Sequence, residues 1–129
     1  MHYRLTEQDQ MRILIVDDDI DLMSGYKEVL RQAGHDVVGC SSFPEARGAL
    51  KAGVFDAIVT DVRLGDSNGL GLLFDAEALQ PGLHKVVMSG YPDSVLRRDA
   101  EALGAIYLQK PIDPDILVNT VQSFAGERR

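Results

Sequence analysis

Short, uniformly apolar runs alternate along the chain with longer stretches in which an apolar residue recurs every three or four positions. The first run, RILIV at 12–16, is too short for a core helix and ends abruptly in three aspartates, which favours a buried strand. The next stretch places its apolar side chains on one face of a helix, at Leu22, Tyr26, Val29, Leu30 and Ala33. Gly34 then suits a left-handed helix end. This segment is therefore predicted to be a strand followed by a helix.

The same strand–helix unit recurs along the rest of the chain. Further strands are predicted at 37–40, 57–60, 85–88 and 105–108. The second helix is expected to begin after Ser41 or Ser42 and to end at Gly53, and the third to stop at Pro81 and Gly82. The fourth is expected to have Pro92 in its first turn and to end at Gly104. The last has an apolar side formed by Ile116, Leu117, Val121 and Phe124.

Five such units predict an α/β fold. Near-continuous apolar strands separated by amphipathic helices call for a parallel sheet that is covered on both faces. Right-handed crossovers then give a flavodoxin-like, doubly wound five-stranded parallel sheet with five helices, (βα)5. We expect residues 12–126 to form this single domain, preceded by an N-terminal extension at 1–11 and followed by a C-terminal tail at 127–129.

Composition narrows the classes of function. The net charge of −7 argues against direct contact with nucleic acid or an anionic membrane. No apolar run approaches the roughly 20 residues that span a bilayer. Cys40 is the only cysteine, which excludes an intramolecular disulfide and fits a reducing, cytoplasmic setting. Its apolar surroundings indicate a small buried core residue rather than a reactive thiol.

Polar residues follow the predicted strands at the positions where chemistry is expected. In an open parallel sheet, ligands bind beyond the carboxyl ends of the strands. Those ends carry Asp17, Asp18, Asp19, Asp61, Ser89 and Lys110. Crowded carboxylates need a compensating cation, and Mg²⁺ prefers their oxygens. The hydroxyl and the ammonium suit the oxygens of a phosphoryl group, so the set is equipped for in-line phosphoryl transfer.

Each of these residues also has a simpler interpretation. Asp19 suits the cap of the first helix, Ser89 before Gly90 suits a turn, and a lone Lys110 suits a solvated surface. The ordered combination of acid, acid, hydroxyl and lysine at four strand ends is much harder to explain as incidental.

Four segments resemble the receiver domain of bacterial two-component response regulators: ILIVDDD (13–19), VTDVRLGDSNGLGLL (59–73), VVMSG (86–90) and YLQKP (107–111). The resemblance implies that Asp61 is the nucleophile and is itself phosphorylated. It also implies that Asp17, Asp18, Asp61 and the backbone carbonyl of Arg63 bind Mg²⁺ or Mn²⁺. Lys110 and Ser89 are then the groups that bind the phosphoryl oxygens.

The resemblance further implies a switch and a set of partners. Tyr107 matches an aromatic residue that turns inward when Ser89 moves toward the phosphate, and Lys110–Pro111 matches a cis peptide bond. The expected phosphodonor is a sensor histidine kinase or a phosphotransfer protein. The expected output is a downstream effector or a fused domain, with a homodimer through the face of helix 4, strand 5 and helix 5 as a further expectation.

Two departures from the usual pattern stand out. Gly65 occupies a position where proline is usual, and Ser89 replaces the more frequent threonine. Arg63 and Tyr91 are bulky at positions that tune water access in similar receivers, which leads to the hypothesis of a long-lived phosphoryl group.

Two other classes of protein remain to be weighed. A phosphohydrolase with an aspartate nucleophile usually carries a second acid two residues later, where this chain has Arg63. A binding module of the same fold, such as a flavin carrier or a degenerate receiver, has no need of the complete set of acids and lysine. The chain is therefore expected to be a signalling receiver rather than an enzyme that acts on a separate substrate.

Overall fold

A computed structural model of the protein describes residues 9–127. Five parallel strands form one sheet in the order β2-β1-β3-β4-β5. They are β1 (Arg12–Val16), β2 (Asp36–Cys40), β3 (Ala57–Asp61), β4 (His84–Ser89) and β5 (Ile106–Gln109). The strand order reverses direction at β1, so the ends of β1 and β3 flank the crevice of a doubly wound sheet.

Five helices connect and follow these strands in the part of the chain that the structure describes. They are α1 (Ile20–Gln32), α2 (Phe43–Ala52), α3 (Gly69–Leu79), α4 (Ser94–Ala102) and α5 (Pro114–Ser123), and a 3₁₀ turn at Phe124–Glu127 follows. The predicted flavodoxin-like (βα)5 fold is confirmed.

The sheet separates two apolar clusters. Leu14 and Val16 point to one side, where they pack with buried residues of α2, α3 and α4. Ile13 and Ile15 point to the other side, against α1 and α5. Successive residues of a strand face opposite sides of the sheet, and helices cover both sides. The strand residues that face either side are therefore apolar. This explains why β1 reads as a continuous apolar run.

Most predicted helix ends are confirmed, with one error. The Ser42 hydroxyl accepts a hydrogen bond from the Glu45 N–H at 3.2 Å, which identifies Ser42 as the cap of α2. Gly34 has a φ of 104°, as expected for a left-handed helix end. Pro92 is not in the first turn of α4, because Asp93 caps a helix that begins only at Ser94.

The apolar face of α1 is shifted from the predicted one. Leu22 is 42% exposed, whereas Met23 and Tyr26 pack against the core beside the fully buried Leu30. The physical reason lies on β2, where a Cβ at Gly39 would overlap the sulfur of Met23. The glycine therefore opens a space that the methionine fills.

Three further features bear on the predicted boundaries and loops. Arg63–Leu64 pairs with Ser67–Asn68 as a short antiparallel hairpin, here called the rim hairpin, which lies outside the five predicted strands. Met11, which we had placed in the N-terminal extension, is 1% exposed and donates its backbone N–H to His35 Nδ1 at 3.1 Å. Residues 1–8 and 128–129 lie outside the described residues, so the domain bounds stay a prediction.

Two further expectations from the sequence concern the burial of Cys40 and the length of the apolar segments. Cys40 is buried at the end of β2, and this burial, together with the Glu45 carboxylate, raises the pKa of its thiol to about 11. Among the residues described, no helix has the length and apolar character needed to cross a membrane.

Candidate functional site

Three aspartates meet at the carboxyl end of the sheet. Asp17 and Asp18 follow β1, and Asp61 is the last residue of the neighbouring β3. The parallel pairing of Val16 with Thr60 brings Asp17 beside Asp61. Carboxylate oxygens of the three side chains all lie within 4.8 Å of one another. The predicted acidic cluster is therefore present, with Asp17 and Asp61 buried and Asp18 exposed.

Lys110, which directly follows β5, joins this cluster. Its Nζ lies 2.8 Å from Asp17 Oδ2 and 3.4 Å from Asp61 Oδ2. Its side chain is only 16% exposed, so it is not the solvated surface lysine of the simpler interpretation. Burial lowers the pKa of Lys110, but the hydrogen bond and charge of Asp17, with the charge of Asp61, outweigh it and leave the pKa raised. The expected cis Lys110–Pro111 bond is present.

Asp61 experiences opposing influences. Burial raises the pKa of its carboxyl group, the Lys110 ammonium lowers it, and the charge of Asp17 raises it again, with a net increase. The ammonium thus contacts two of the three carboxyl groups of the cluster. An all-oxygen donor set of this charge and spacing fits a hard divalent cation such as Mg²⁺, which usually binds through one or two carboxylates plus water.

Backbone groups orient the acids that follow β1. Asp17 Oδ1 accepts the Asp19 N–H at 3.0 Å, and Asp18 Oδ2 accepts the Gly65 N–H of the rim hairpin at 2.9 Å. Asp19 itself accepts the Leu22 N–H at 3.1 Å. It therefore caps α1, as the simpler interpretation held, and does not belong to the cluster.

The two predicted switch residues share a hydrogen-bond acceptor. Ser89 is 1% exposed, and its hydroxyl donates to the backbone carbonyl of Tyr91 at 3.1 Å and accepts the Tyr91 N–H at 3.2 Å. The Tyr107 hydroxyl donates to the same carbonyl at 2.7 Å. The Arg97 guanidinium lies 5.8 Å from the centre of the Tyr107 ring. Ser89 thus forms a turn contact here, while both hydroxyls converge on one backbone group.

Two cavities adjoin the cluster. A cavity of about 200 Å³ is lined by Asp61, Val62, Arg63, Gly90, Tyr91 and Lys110. A neighbouring one of about 450 Å³ extends along the rim hairpin toward α4 and includes Ser89 in its lining. The Arg63 guanidinium lies 5.2 Å from the centre of the Tyr91 ring, so these two residues stand together at the rim of both cavities.

Gly69 supports the site in a way that the sequence did not reveal. A Cβ at this position would overlap the backbone carbonyl oxygen of Asp61, and the Gly69 N–H donates to Val62 O at 2.7 Å. The start of α3 therefore packs directly on the backbone of the central acid. The sequence showed only a glycine at a predicted helix start, which carries no sign of this contact.

Comparison with known proteins defines the class to which this fold and site belong. The sequence model of the response regulator receiver domain matches residues 13–122. The chain therefore belongs to the response regulator receiver domain family. This assignment sets aside the phosphohydrolase and flavin-carrier alternatives.

Similar sequences are found in longer regulators. The alginate biosynthesis transcriptional regulatory protein AlgB of Pseudomonas aeruginosa is 35% identical over 113 residues, which cover 87% of this chain and 25% of that protein. The transcriptional regulatory protein ZraR of Escherichia coli K12 is 33% identical over 115 residues, covering 88% and 26%. The chain thus spans about a quarter of the length of these curated relatives.

Solved structures of response regulators resemble this chain over most of its length. A receiver domain protein from Methanospirillum hungatei JF-1, described as CheY-like, superposes with a TM-score of 0.86 at 29% identity, covering 92% of this chain and 95% of that one. A response regulator from Burkholderia pseudomallei has a TM-score of 0.81 at 28% identity, covering 90% and 69%. That structure contains a phosphorylated aspartic acid, a calcium ion and citrate.

Proposed function

We propose that this chain accepts a phosphoryl group on Asp61 from the phosphohistidine of a sensor histidine kinase or a phosphotransfer protein. Asp17, Asp18, Asp61 and the Arg63 backbone carbonyl would hold the divalent cation, Mg²⁺ or Mn²⁺, that the reaction requires. The observation that carries the proposal is the meeting of three carboxyl groups within 4.8 Å, with Lys110 Nζ 2.8 Å from Asp17 and 3.4 Å from Asp61.

The chemistry requires little more than positioning and charge neutralisation. An oxygen of Asp61 forms the new bond to phosphorus while the bond from phosphorus to the histidine nitrogen breaks. Lys110 stabilises the charge that spreads over the transferring oxygens, and Ser89 donates to one of them after leaving the Tyr91 carbonyl. The bound cation supplies further neutralisation of the crowded negative charge.

Phosphorylation would change the relative populations of two conformations of the surface formed by α4, β5 and α5. Once Ser89 turns from the Tyr91 carbonyl to the phosphoryl group, it vacates space for Tyr107, which would leave the same carbonyl and move inward. We propose that the face of α4, β5 and α5 then contacts an effector, a fused output domain or a second copy. The greater length of AlgB and ZraR supports a fused output in the full protein, and we propose a cytoplasmic location.

Arg63 and Tyr91 support a slow loss of the phosphoryl group. Their cation–π contact of 5.2 Å places two bulky side chains at the rim of the cavity beside Asp61. Hydrolysis requires water to enter this cavity, and the two bulky side chains restrict its entry. We therefore expect the phosphorylated protein to persist for minutes or longer. Following the decay of the phosphoprotein by intact mass tests this, and complete loss within seconds would contradict it.

The decisive experiment is incubation with acetyl phosphate and Mg²⁺ followed by intact mass measurement. The native chain is expected to gain one phosphoryl group, and Asp61→Asn is expected to gain none. Asp36→Asn is the matched control, because Asp36 starts β2 at the opposite end of the sheet and should leave the gain intact. A persistent gain in Asp61→Asn, or no gain in the native chain, would overturn the proposal.

A further inference from the structure

Two separate elements hold the Tyr107 side chain in place. Its hydroxyl donates to the Tyr91 carbonyl at 2.7 Å, in the loop that follows β4. Its ring faces the guanidinium of Arg97 on α4, whose Cζ lies 5.8 Å from the ring centre. We call this the outward position of Tyr107. The hydroxyl contact comes from the loop beside Ser89, whereas the ring contact is independent of that loop.

We infer that Arg97 is a positioning residue for the switch: its guanidinium holds the Tyr107 ring in the outward position and so opposes the inward movement. This inference rests on the proposed function, because it concerns the change of conformation that a phosphoryl group on Asp61 would produce. Arg97 acts through Tyr107 and not through the acidic cluster.

A second side chain of α4 orients the guanidinium. Arg97 Nε donates to Glu101 Oε1 at 3.0 Å, one helical turn further along. An exposed ion pair of this kind contributes little to stability by itself. It does fix one edge of a planar group, whose flat face remains available to an aromatic ring. The pair therefore accounts for the defined position of an Arg97 side chain that is 65% exposed.

The attraction exists in only one of the two positions of the ring. A cation over the face of an exposed aromatic ring changes an equilibrium by roughly two- to fivefold. Arg97 lies at the surface, whereas Ser89 is 1% exposed, so a ring that moves inward toward Ser89 moves away from the guanidinium. A contact that is made in one conformation alone shifts the population toward that conformation.

The neighbouring Arg98 offers a matched comparison. It lies on the same helix and is also exposed. Among residues 9–127, however, it has neither an ion pair nor a ring contact. Replacing either arginine by glutamine removes one positive charge from α4, but only the replacement of Arg97 removes the contact with Tyr107.

Binding of beryllofluoride, a stable anionic mimic of the phosphoryl group, measures the equilibrium. The native chain, Arg97→Gln and Arg98→Gln are titrated at saturating Mg²⁺, and the ¹⁹F NMR signals of the bound mimic give its affinity. Loss of a contact that opposes the bound conformation should tighten binding by roughly two- to fivefold in Arg97→Gln. Arg98→Gln should leave the affinity unchanged. Simple electrostatics predicts the opposite sign for Arg97→Gln, because removal of a cation weakens the binding of an anion.

A second set of variants tests whether the effect passes through the ring. Tyr107→Leu keeps an apolar side chain but removes the aromatic face and the hydroxyl. In this background, Arg97→Gln should no longer change the affinity for beryllofluoride. In the otherwise native chain, Arg97→Lys keeps the charge but lacks the planar guanidinium, so its affinity should lie between those of the native chain and Arg97→Gln.

The affinities separate the possible failures. An Arg97→Gln variant that binds beryllofluoride no more tightly than the native chain would overturn the positioning role alone. Equal tightening in Arg97→Gln and Arg98→Gln, or tightening that persists in the Tyr107→Leu background, would also overturn it, because charge and not the ring contact would then control binding. A native chain that binds no beryllofluoride and gains no phosphoryl group from acetyl phosphate would overturn the proposed function as well.

Discussion

A buried lysine and a partly buried lysine at opposite ends of the sheet have very different surroundings. Lys85, near the start of β4, has a side chain that is 8% exposed, and its Nζ lies 2.5 Å from Glu77 Oε1 and 3.2 Å from the Leu83 carbonyl. Lys110, beyond β5, has a side chain that is 16% exposed and is shared between Asp17 and Asp61. One lysine thus faces a single acid, while the other lies in a cluster with more acids than cations.

The difference distinguishes a structural ion pair from a candidate site. A buried charge that has one partner and a hydrogen bond is satisfied within the protein. Three carboxyl groups around one ammonium are not neutralised, and burial raises the pKa of Asp61 despite the lysine beside it. The excess of negative charge, and not the mere presence of buried charge, marks the end of the sheet where a cation and a phosphoryl group would bind.

The largest expected effect comes from replacing the two lysines in parallel. Lys110→Met should lower the rate of phosphorylation by acetyl phosphate about 10²- to 10³-fold, because it removes a preorganised donor to the transferring oxygens. Lys85→Met, the matched control, should leave that rate within about twofold and lower the free energy of unfolding by roughly 1 kcal/mol, since Glu77 is half exposed. Rates come from intact mass against time, and similar rate losses in both variants would refute the distinction.

The next effect concerns the structural end of the sheet. The Gln80 side chain donates to the carbonyls of Leu50 and Gly53 at 2.8 and 2.7 Å and accepts the Phe55 N–H at 2.8 Å. Gln80→Ala removes all three bonds and should lower the free energy of unfolding by about 2–4 kcal/mol. Urea unfolding measures this, with Gln32→Ala as the control.

Gln32 forms an exposed bond to Glu28 within α1, so its removal should cost about 0.5 kcal/mol or less. The phosphorylation rate of folded Gln80→Ala should match that of the native chain, because Gln80 lies at the end of the sheet away from the acids. A Gln80→Ala variant as stable as Gln32→Ala would show that these three bonds contribute little.

A smaller effect is expected where a glycine touches the site. Gly69→Ala forces a Cβ against the Asp61 carbonyl, so the backbone must shift, with a loss of about 1–3 kcal/mol in the free energy of unfolding. Gly48→Ala is the control, because a Cβ there meets nothing within 4 Å in α2 and should stabilise the helix by about 0.5–1 kcal/mol. Opposite signs are expected in urea unfolding, and equal signs would argue against the close contact.

The smallest effect is the pH dependence that Asp61 contributes. Its folded pKa is raised, chiefly by burial, above the ordinary value near 4 of the unfolded chain. The folded protein therefore holds this proton more firmly, so the contribution to stability is complete below about pH 4 and is lost as the pH rises through the folded pKa.

Asp61→Asn removes this titration. Its free energy of unfolding should therefore increase relative to that of the native chain as the pH rises from about 4 to 7. Urea unfolding of both proteins across this range, without divalent cations, provides the measurement. A difference that is independent of pH, or that shrinks toward neutral pH, would contradict the raised pKa.

Much of the fold was predictable because its signals are local. The apolar run of β1, the glycine that ends α1 and the serine cap of α2 each act within a few residues, and all three were confirmed. The error at Pro92 arose because Asp93 is a competing cap signal one residue later, which accepts the N–H groups of Val95 and Leu96.

The meeting of the acids with Lys110 was predictable for a different reason. Parallel strands end at one edge of a sheet, so polar residues at the ends of β1, β3 and β5 lie along the same edge, and a long lysine side chain can reach the acids there. The roles of the individual residues in phosphorylation stay predictions that the experiments above address.

The sequence alone determined the class of fold and the composition of the site, because hydrophobic periodicity and strand-end residues are properties of short segments. Only the tertiary structure decided which residues contact the acids. The Gly65 N–H on Asp18 and the Gly69 contact with Asp61 join segments that meet only when the rim hairpin and α3 pack on the sheet. Contacts of this kind depend on backbone direction in space, which no local pattern of side chains encodes.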